Sequence, residues 1–254
     1  MIKTQGLILK EQSVGESDKL VTVLTRSNGV IRCFCKRAKK LISNVSSACQ
    51  VMTYSRLGIF EGRDQYIITE AEVIKSFFDA FDSIEGLELG YYLSELAINM
   101  IPENMPSEDY LQLLLNCLHA IAGNLRPLPV IKAVFELRIM LLGGVLPDVL
   151  FCCECGRYDT DTGTMHYAPI ENKLYCPSCC YKEGMAHRCI TVSMASISAV
   201  RYCITAEPKK ILSFQLSGRA VRDFSVLAER FILAQNDFYC RTLDFYKNTT
   251  EELK

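Results

Sequence analysis

The sequence predicts an α+β protein, in which a small N-terminal β-barrel is followed by an α-helical domain with an embedded cysteine-rich module. Up to about residue 70, short segments rich in β-branched and aromatic residues alternate with turn-forming residues. After residue 73, apolar residues recur at helical spacing, and two C-x-x-C pairs interrupt that pattern. We therefore predict a barrel domain over 1–75 and a helical domain over 76–254, with the module at about 150–190.

Five short strands account for the predicted barrel. They are expected over Gly6–Gln12, Lys19–Arg26, Val30–Lys36, Val51–Phe60 and Gln65–Thr69. Asn28-Gly29 separates the second strand from the third, and both residue types tolerate the positive φ angles of a tight hairpin. Five short strands in this length are typical of the oligonucleotide-binding barrel, the OB-fold.

Apolar stripes and helix-boundary residues predict the helical part. Helices are expected around Leu89–Met100, from Ser107 to Ile121, from Pro127 to Leu142, over 193–206 and over 217–246. Ser107 is a predicted N-cap, and Gly143-Gly144 is a predicted stop. The last stretch is expected to be one long helix.

The most specific motif is a cysteine quartet: Cys152-x-x-Cys155, and after a 20-residue spacer Cys176-x-x-Cys179. Two such pairs place four thiolates in the tetrahedral array that structural zinc prefers, and the spacer can form a hairpin. Four thiolates would leave no open position for water, so we expect one structural Zn²⁺. Free or redox-active cysteines are the alternative, and the adjacent Cys153 and Cys180 could compete as ligands.

A second candidate site lies on the third predicted strand and the segment after it. On a strand Arg32, Phe34 and Lys36 share one face, which places an aromatic ring between two cations. Single-stranded nucleic acid is bound by such surfaces, because bases stack on the ring and phosphates pair with the cations. The predicted DNA contacts are Arg32, Phe34, Lys36, Arg37, Lys39 and Lys40. A solvated strand edge that resists aggregation is the alternative.

Charge and missing motifs narrow the function further. The net charge is −1, yet residues 1–70 hold 11 Lys or Arg against 6 Asp or Glu, which suits a polyanionic partner. We find no H-E-x-x-H, no phosphate-binding loop and no nucleophile elbow, so we expect a protein that is not an enzyme. No apolar tract reaches 18 residues and no secretory signal is seen, so we expect a cytoplasmic protein without a membrane partner.

Three stretches together resemble the RecO family, bacterial mediators of DNA repair and recombination. The first runs over Gly15–Thr25 with Asn28-Gly29 and the basic segment Lys36–Lys40. The second comprises Phe135–Arg138, Leu141–Gly144 and Leu146–Asp148, and the third is the cysteine quartet. Their order and spacing cover most of the chain.

The resemblance implies an N-terminal OB-fold, binding to single- and double-stranded DNA, annealing of complementary strands and recombinase loading on coated single strands. It also implies a nucleoid-associated location and two partners, RecR and the acidic C-terminal tail of single-strand-binding protein. For that tail we expect a cationic groove in the helical domain that includes Arg126, Lys132 or Arg138. A zinc-braced adaptor that binds proteins rather than DNA is the main alternative, and a zinc- or thiol-dependent enzyme is another.

Overall fold

The computed structural model describes residues 1–36, 44–63, 65–235 and 238–252, and its N-terminal part is a closed five-stranded barrel. The strands are β1 (Ile2–Val14), β2 (Asp18–Thr25), β3 (Gly29–Cys35), β4 (Thr53–Glu61) and β5 (Tyr66–Ser76), and a short helix α1 (Asn44–Ala48) lies between β3 and β4. The strand order around the barrel is β1-β2-β3-β5-β4, with β3 and β5 parallel and the other pairs antiparallel. The predicted OB-like barrel is confirmed.

The β2–β3 hairpin depends on one glycine. Gly29 has φ +65°, and a Cβ at this position would lie 2.1 Å from the carbonyl oxygen of Pro102. The Thr25 hydroxyl donates to the Gly29 carbonyl at 3.0 Å and accepts from the Asn28 N–H at 3.0 Å. Any side chain at position 29 would collide with the backbone at Pro102, so only glycine fits here. The turn also sets the register between β2 and β3.

By Cα packing the chain divides into two compact units, 1–125 with 240–254, and 126–239. The first unit contains the barrel with α1 and the helices α2 (Ile84–Met100), α3 (Glu108–Ala122) and α8 (Arg241–Glu252). The second contains α4 (Leu128–Leu142), α5 (Pro177–Lys182), α6 (Met194–Thr205), α7 (Arg219–Gln235) and the three-stranded sheet of β6 (Thr164–Ala168), β7 (Lys173–Tyr175) and β8 (Ile190–Ser193). The division into domains at residue 75 stays a prediction.

The long helix predicted over 217–246 is wrong. The chain forms α7 and α8 instead, and residues 238–240 between them are not helical. A tertiary contact begins α8: the Glu95 carboxylate of α2 accepts a hydrogen bond from the Thr242 backbone N–H at 3.0 Å and another from its hydroxyl. An unpaired N–H in the first turn of a helix needs an acceptor, and here the acceptor comes from a residue remote in sequence.

Ser107 stands at the predicted N-terminus of α3, but its side chain does not cap the helix. Its hydroxyl donates to the Met105 carbonyl at 3.0 Å, and its backbone N–H donates to the Arg26 carbonyl at 3.0 Å.

In the described ranges, no helix is long and apolar enough to cross a membrane.

The second unit is built around α4, which is buried on almost every side. Its core positions include three ionisable residues, and two of them form a cluster with a residue of α7. Lys132 Nζ lies 2.7 Å from Glu136 Oε1 and 2.8 Å from Glu229 Oε2. These contacts offset the cost of burying the charges, which would be several kcal/mol for an unpaired ion.

Candidate metal centre and nucleic-acid face

The four cysteines of the quartet come together at one point of the second unit. The Sγ atoms of Cys152, Cys155, Cys176 and Cys179 all lie within 4.8 Å of one another, and Cys155 Sγ lies 3.8 Å from Cys176 Sγ. A tetrahedron of sulfurs about 2.3 Å from a zinc ion has edges of about 3.8 Å, so the spacing fits a four-thiolate centre. The four sulfurs are close enough together to hold one metal ion.

Local backbone hydrogen bonds fix the positions of Cys152 and Cys155, the first pair of the quartet. The Gly156 N–H donates to the Cys152 carbonyl at 2.9 Å, and Gly156 has φ +68°, which turns the chain sharply after Cys155. The Cys153 N–H donates to the Leu174 carbonyl of β7 at 2.8 Å. The first pair is thereby fixed to the strand that leads into the second pair.

The spacer between the two pairs forms the predicted hairpin, β6 with β7, and a third strand, β8, adds to its other edge. Cys176 follows β7 directly and precedes Pro177, the first residue of α5. Proline is favoured at this position because it lacks an N–H and its φ already suits a helix. The turn of helix then brings Cys179 back towards Cys176.

The surroundings of Cys152 favour its thiolate form. Burial raises the pKa of this thiol, but backbone hydrogen bonds from Cys176, Cys155 and Glu154 outweigh burial and lower the pKa to about 7. Thiolates are the species that bind metals. Several thiolates this close together repel one another, and a divalent cation at their centre removes that repulsion.

The two neighbouring cysteines do not belong to the cluster. Cys153 is exposed, whereas Cys180 is buried against Ala168 and Tyr175 in a small apolar core beside the quartet. The four sulfurs that come together are therefore those of the two x-x-spaced pairs.

The barrel carries the second candidate site on β3. Arg32 and Lys36 are exposed and Phe34 is half-buried on the outer face, while Cys33 and Cys35 are buried inside. The alternation predicted from the sequence is thus present. Arg37, Lys39 and Lys40 lie outside the residues that the structure describes.

A groove of about 610 Å³ borders Phe34, and the sequence did not indicate its other walls. Arg63, at the β4–β5 turn, and Tyr66, the first residue of β5, line it together with Arg32 and Phe34. Tyr66 lies opposite Cys33 in the parallel β3–β5 pairing, so its ring packs partly against the barrel core while it also lines the groove. Two carboxylates, Glu61 and Glu103, also line the groove. The groove therefore combines two aromatic rings and two guanidinium groups with an acidic rim.

The cations proposed for a partner peptide lie in different environments. The Arg126 Nε donates to the carbonyls of Leu212 at 2.9 Å and Phe214 at 3.2 Å. Lys132 is 2% exposed and ion-paired, as described above. Buried Arg138 donates from Nη1 to the Cys203 carbonyl at 3.0 Å, near the end of α6. All three side chains have internal partners, and a peptide site at these residues stays a prediction.

Comparison with known proteins finds relatives that match this chain along most of its length. The DNA repair protein RecO of Acetivibrio thermocellus is 27% identical over 254 residues, covering 100% of this chain and 98% of the relative. That of Caldicellulosiruptor bescii is 27% identical over 249 residues, covering 97% and 98%. That of Alkaliphilus metalliredigens is 23% identical over 237 residues, covering 93% and 94%.

Two family models match adjoining parts of the chain. The model of the recombination protein O N terminal matches residues 1–77, which include the whole barrel, and the model of the recombination protein O C terminal matches residues 82–235. With both models matched in order and the cysteine quartet assembled in the second, the chain belongs to the RecO family of DNA repair proteins.

Proposed function

We propose that this protein is a DNA repair and recombination mediator that binds single- and double-stranded DNA. In this role it promotes annealing of complementary strands and loading of a recombinase on coated single strands. The observation that carries the proposal is the outer face of β3, where Arg32 and Phe34 line the groove with Arg63 and Tyr66. Exposed Lys36 follows the strand directly. Membership of a family of DNA repair proteins supports it.

The chemistry of this face suits a single strand. A half-buried ring gives a base a rigid surface to stack on, and such stacking contributes about 1–3 kcal/mol per base. Exposed guanidinium and ammonium groups pair with phosphates, releasing counterions and making affinity depend on salt. The acidic rim formed by Glu61 and Glu103 limits how far a polyanion can spread from the groove.

Annealing follows from the same electrostatics. Two single strands repel each other until their charge is screened, and a basic surface that holds one strand lowers this barrier. Base pairing then supplies the driving force, so the reaction needs no nucleoside triphosphate. The sequence contains no phosphate-binding loop, which agrees with a reaction that consumes no nucleoside triphosphate.

We propose Zn²⁺ as the metal of the quartet, with a structural role. Four sulfur ligands at tetrahedral spacing favour zinc, and a full ligand set leaves no position for a substrate. When bound, the ion would hold Cys152 and Cys155 to Cys176 and Cys179. It would thereby brace the β6–β7 hairpin.

We also propose RecR and the tail of single-strand-binding protein as partners, and the nucleoid as the site of action, on the basis of family membership. An acidic tail would be received by cations of the helical part, among which Arg126 is only half-buried. Titration of the labelled tail peptide against wild-type protein and Arg126→Ala tests this contact. Equal affinity of the two proteins would place the tail elsewhere.

Fluorescence anisotropy with a labelled single-stranded oligonucleotide at several salt concentrations tests the main proposal. If three cations contact phosphates, the logarithmic salt slope is about −2, and affinity falls about twentyfold between roughly 50 and 200 mM salt. A quenching assay of strand annealing without ATP then measures the activity. A salt-independent affinity and a rate at the spontaneous level would instead favour the adaptor that binds proteins.

A further inference from the structure

Two buried thiols lie in contact at the two ends of residues 36–48, which include the basic segment Lys36–Lys40. Cys35 is the last residue of β3, and Cys49 follows α1, so the two bracket residues 36–48. Their sulfur atoms lie 3.4 Å apart, and both residues are 0% exposed. They are part of the apolar core of the barrel, whereas the cysteine quartet belongs to the other compact unit.

The environment makes one of these thiols the better nucleophile. The hydrogen bond between the two thiols lowers the pKa of Cys35 against the effect of burial, and the charge of Lys19 acts in the same direction. The same contact and burial raise the pKa of Cys49. Burial also raises the pKa of the neighbouring Cys33, to about 12. Cys35 is thus the thiol of this core that most readily forms a thiolate.

We propose that Cys35 and Cys49 are a reversible oxidative modification site, at which a peroxide converts the thiol pair into a disulfide that closes residues 36–48 into a loop. The Cys35 thiolate attacks a peroxide oxygen, the O–O bond breaks, and Cys35 becomes a sulfenic acid. The Cys49 sulfur then attacks the Cys35 sulfur and expels water. For hydrogen peroxide the balance is two thiols and one peroxide giving one disulfide and two waters.

Burial sets the conditions under which the site works. Hydrogen peroxide is small enough to enter during local opening of the barrel, whereas bulky reductants are excluded from the closed state. The disulfide should therefore form slowly and persist until a small dithiol reduces it. Since the two sulfurs lie 3.4 Å apart, the new bond requires only a small movement of Cys35 and Cys49.

The consequence for DNA rests on the proposed function. Residues 36–48 contain Lys36, Arg37, Lys39 and Lys40, four of the six predicted DNA contacts. A segment whose two ends are linked loses less conformational freedom when it binds a polyanion. We expect the oxidised protein to bind a single-stranded oligonucleotide about threefold more tightly than the reduced protein.

The test uses the full-length, metal-loaded protein, treated with hydrogen peroxide, alkylated and digested with trypsin without reduction. Trypsin separates peptide 33–36 from peptide 41–56, and a disulfide of Cys35 with Cys49 joins them into one species that dithiothreitol splits. Because peptide 33–36 also contains Cys33, the matched control is Cys33→Ala, which should retain the cross-link. Cys35→Ala and Cys49→Ala should lose it, and circular dichroism checks that each variant folds.

Four results separate the possibilities. Absence of the joined peptides in oxidised wild-type protein, or their presence in Cys35→Ala, would overturn the site. Joined peptides with equal oligonucleotide affinity in the oxidised and reduced states would overturn the coupling to DNA. Joined peptides in a protein that binds no oligonucleotide in either state would support the modification site and count against the proposed function. The effect on DNA binding is measured by comparing oxidised and reduced wild-type protein directly, so that part of the test needs no variant.

Discussion

The candidate DNA-binding cations at β3 and the cations of α4 are the same residue types, Arg and Lys, but the first are exposed and the second are buried. Arg32 and Lys36 are exposed on the barrel, whereas Lys132 and Arg138 are buried and bonded within their own unit. A cation that faces water is available to a phosphate, but a cation with internal partners holds helices together. Charge alone therefore does not identify a binding surface, and burial separates the two roles. The following experiments test that separation.

The largest effect is expected at the cysteine quartet of the second unit, where we propose a structural zinc ion. Cys176→Ser removes one of four thiolates, and structural zinc sites contribute on the order of 10 kcal/mol to the folding of small modules. We expect the variant to lose most of its metal, about one ion per chain in the wild type, and to melt at a lower temperature. Elemental analysis and thermal unfolding measure both effects.

The matched control is Cys153→Ser, which changes an exposed thiol next to the quartet. It should keep its metal and its stability. Equal metal content in Cys176→Ser and the wild type would contradict the four-thiolate centre.

Next in size is the change Lys132→Met in α4. It leaves Glu136, which is 0% exposed, without its cation, and removing one partner of a buried ion pair costs about 3–5 kcal/mol of unfolding free energy. Urea denaturation measures the loss. Lys36→Met, at an exposed site of the barrel, should change stability by less than about 0.5 kcal/mol. Similar losses in the two variants would remove the distinction between the two sets of cations.

On the barrel, Phe34→Ala should weaken binding of a single-stranded oligonucleotide by about 1–3 kcal/mol, because a base loses its stacking surface. The salt slope should stay the same, since no cation changes. Phe34→Tyr is the control that keeps a ring and should keep most of the affinity. An unchanged affinity in Phe34→Ala would show that the bases stack elsewhere, and Tyr66→Ala would then be measured.

The smallest effect is expected from the double change of Arg32 and Lys36 to Ala. Loss of two phosphate contacts should reduce the logarithmic salt slope by about 1.4 and weaken binding about tenfold near physiological salt. Lys10→Ala, at an exposed position of β1, is the matched control and should leave the slope unchanged. If the control and the double variant behave alike, the barrel contributes only diffuse charge.

The sequence by itself determined those features that depend on near neighbours in the chain. The C-x-x-C spacing identified the four cysteines that cluster, because one tight turn brings each pair together. The period of two along 31–36 identified which side chains face outward, since successive residues of a strand point to opposite faces. Asn28-Gly29 located the hairpin, because few residues adopt the backbone conformation that Gly29 has.

Only the tertiary structure decided features that join remote segments. The β3–β5 pairing brings Tyr66 to the groove that Phe34 also lines. Cys49, after α1, meets Cys35 of β3, and Glu95 supplies the acceptor that starts α8. It also decided that Lys132 is buried beside Glu136 and Glu229. Local sequence carries periodicity and turn preference, but register, burial and partners across the chain are set by how whole elements pack, and no window of neighbouring residues contains that information.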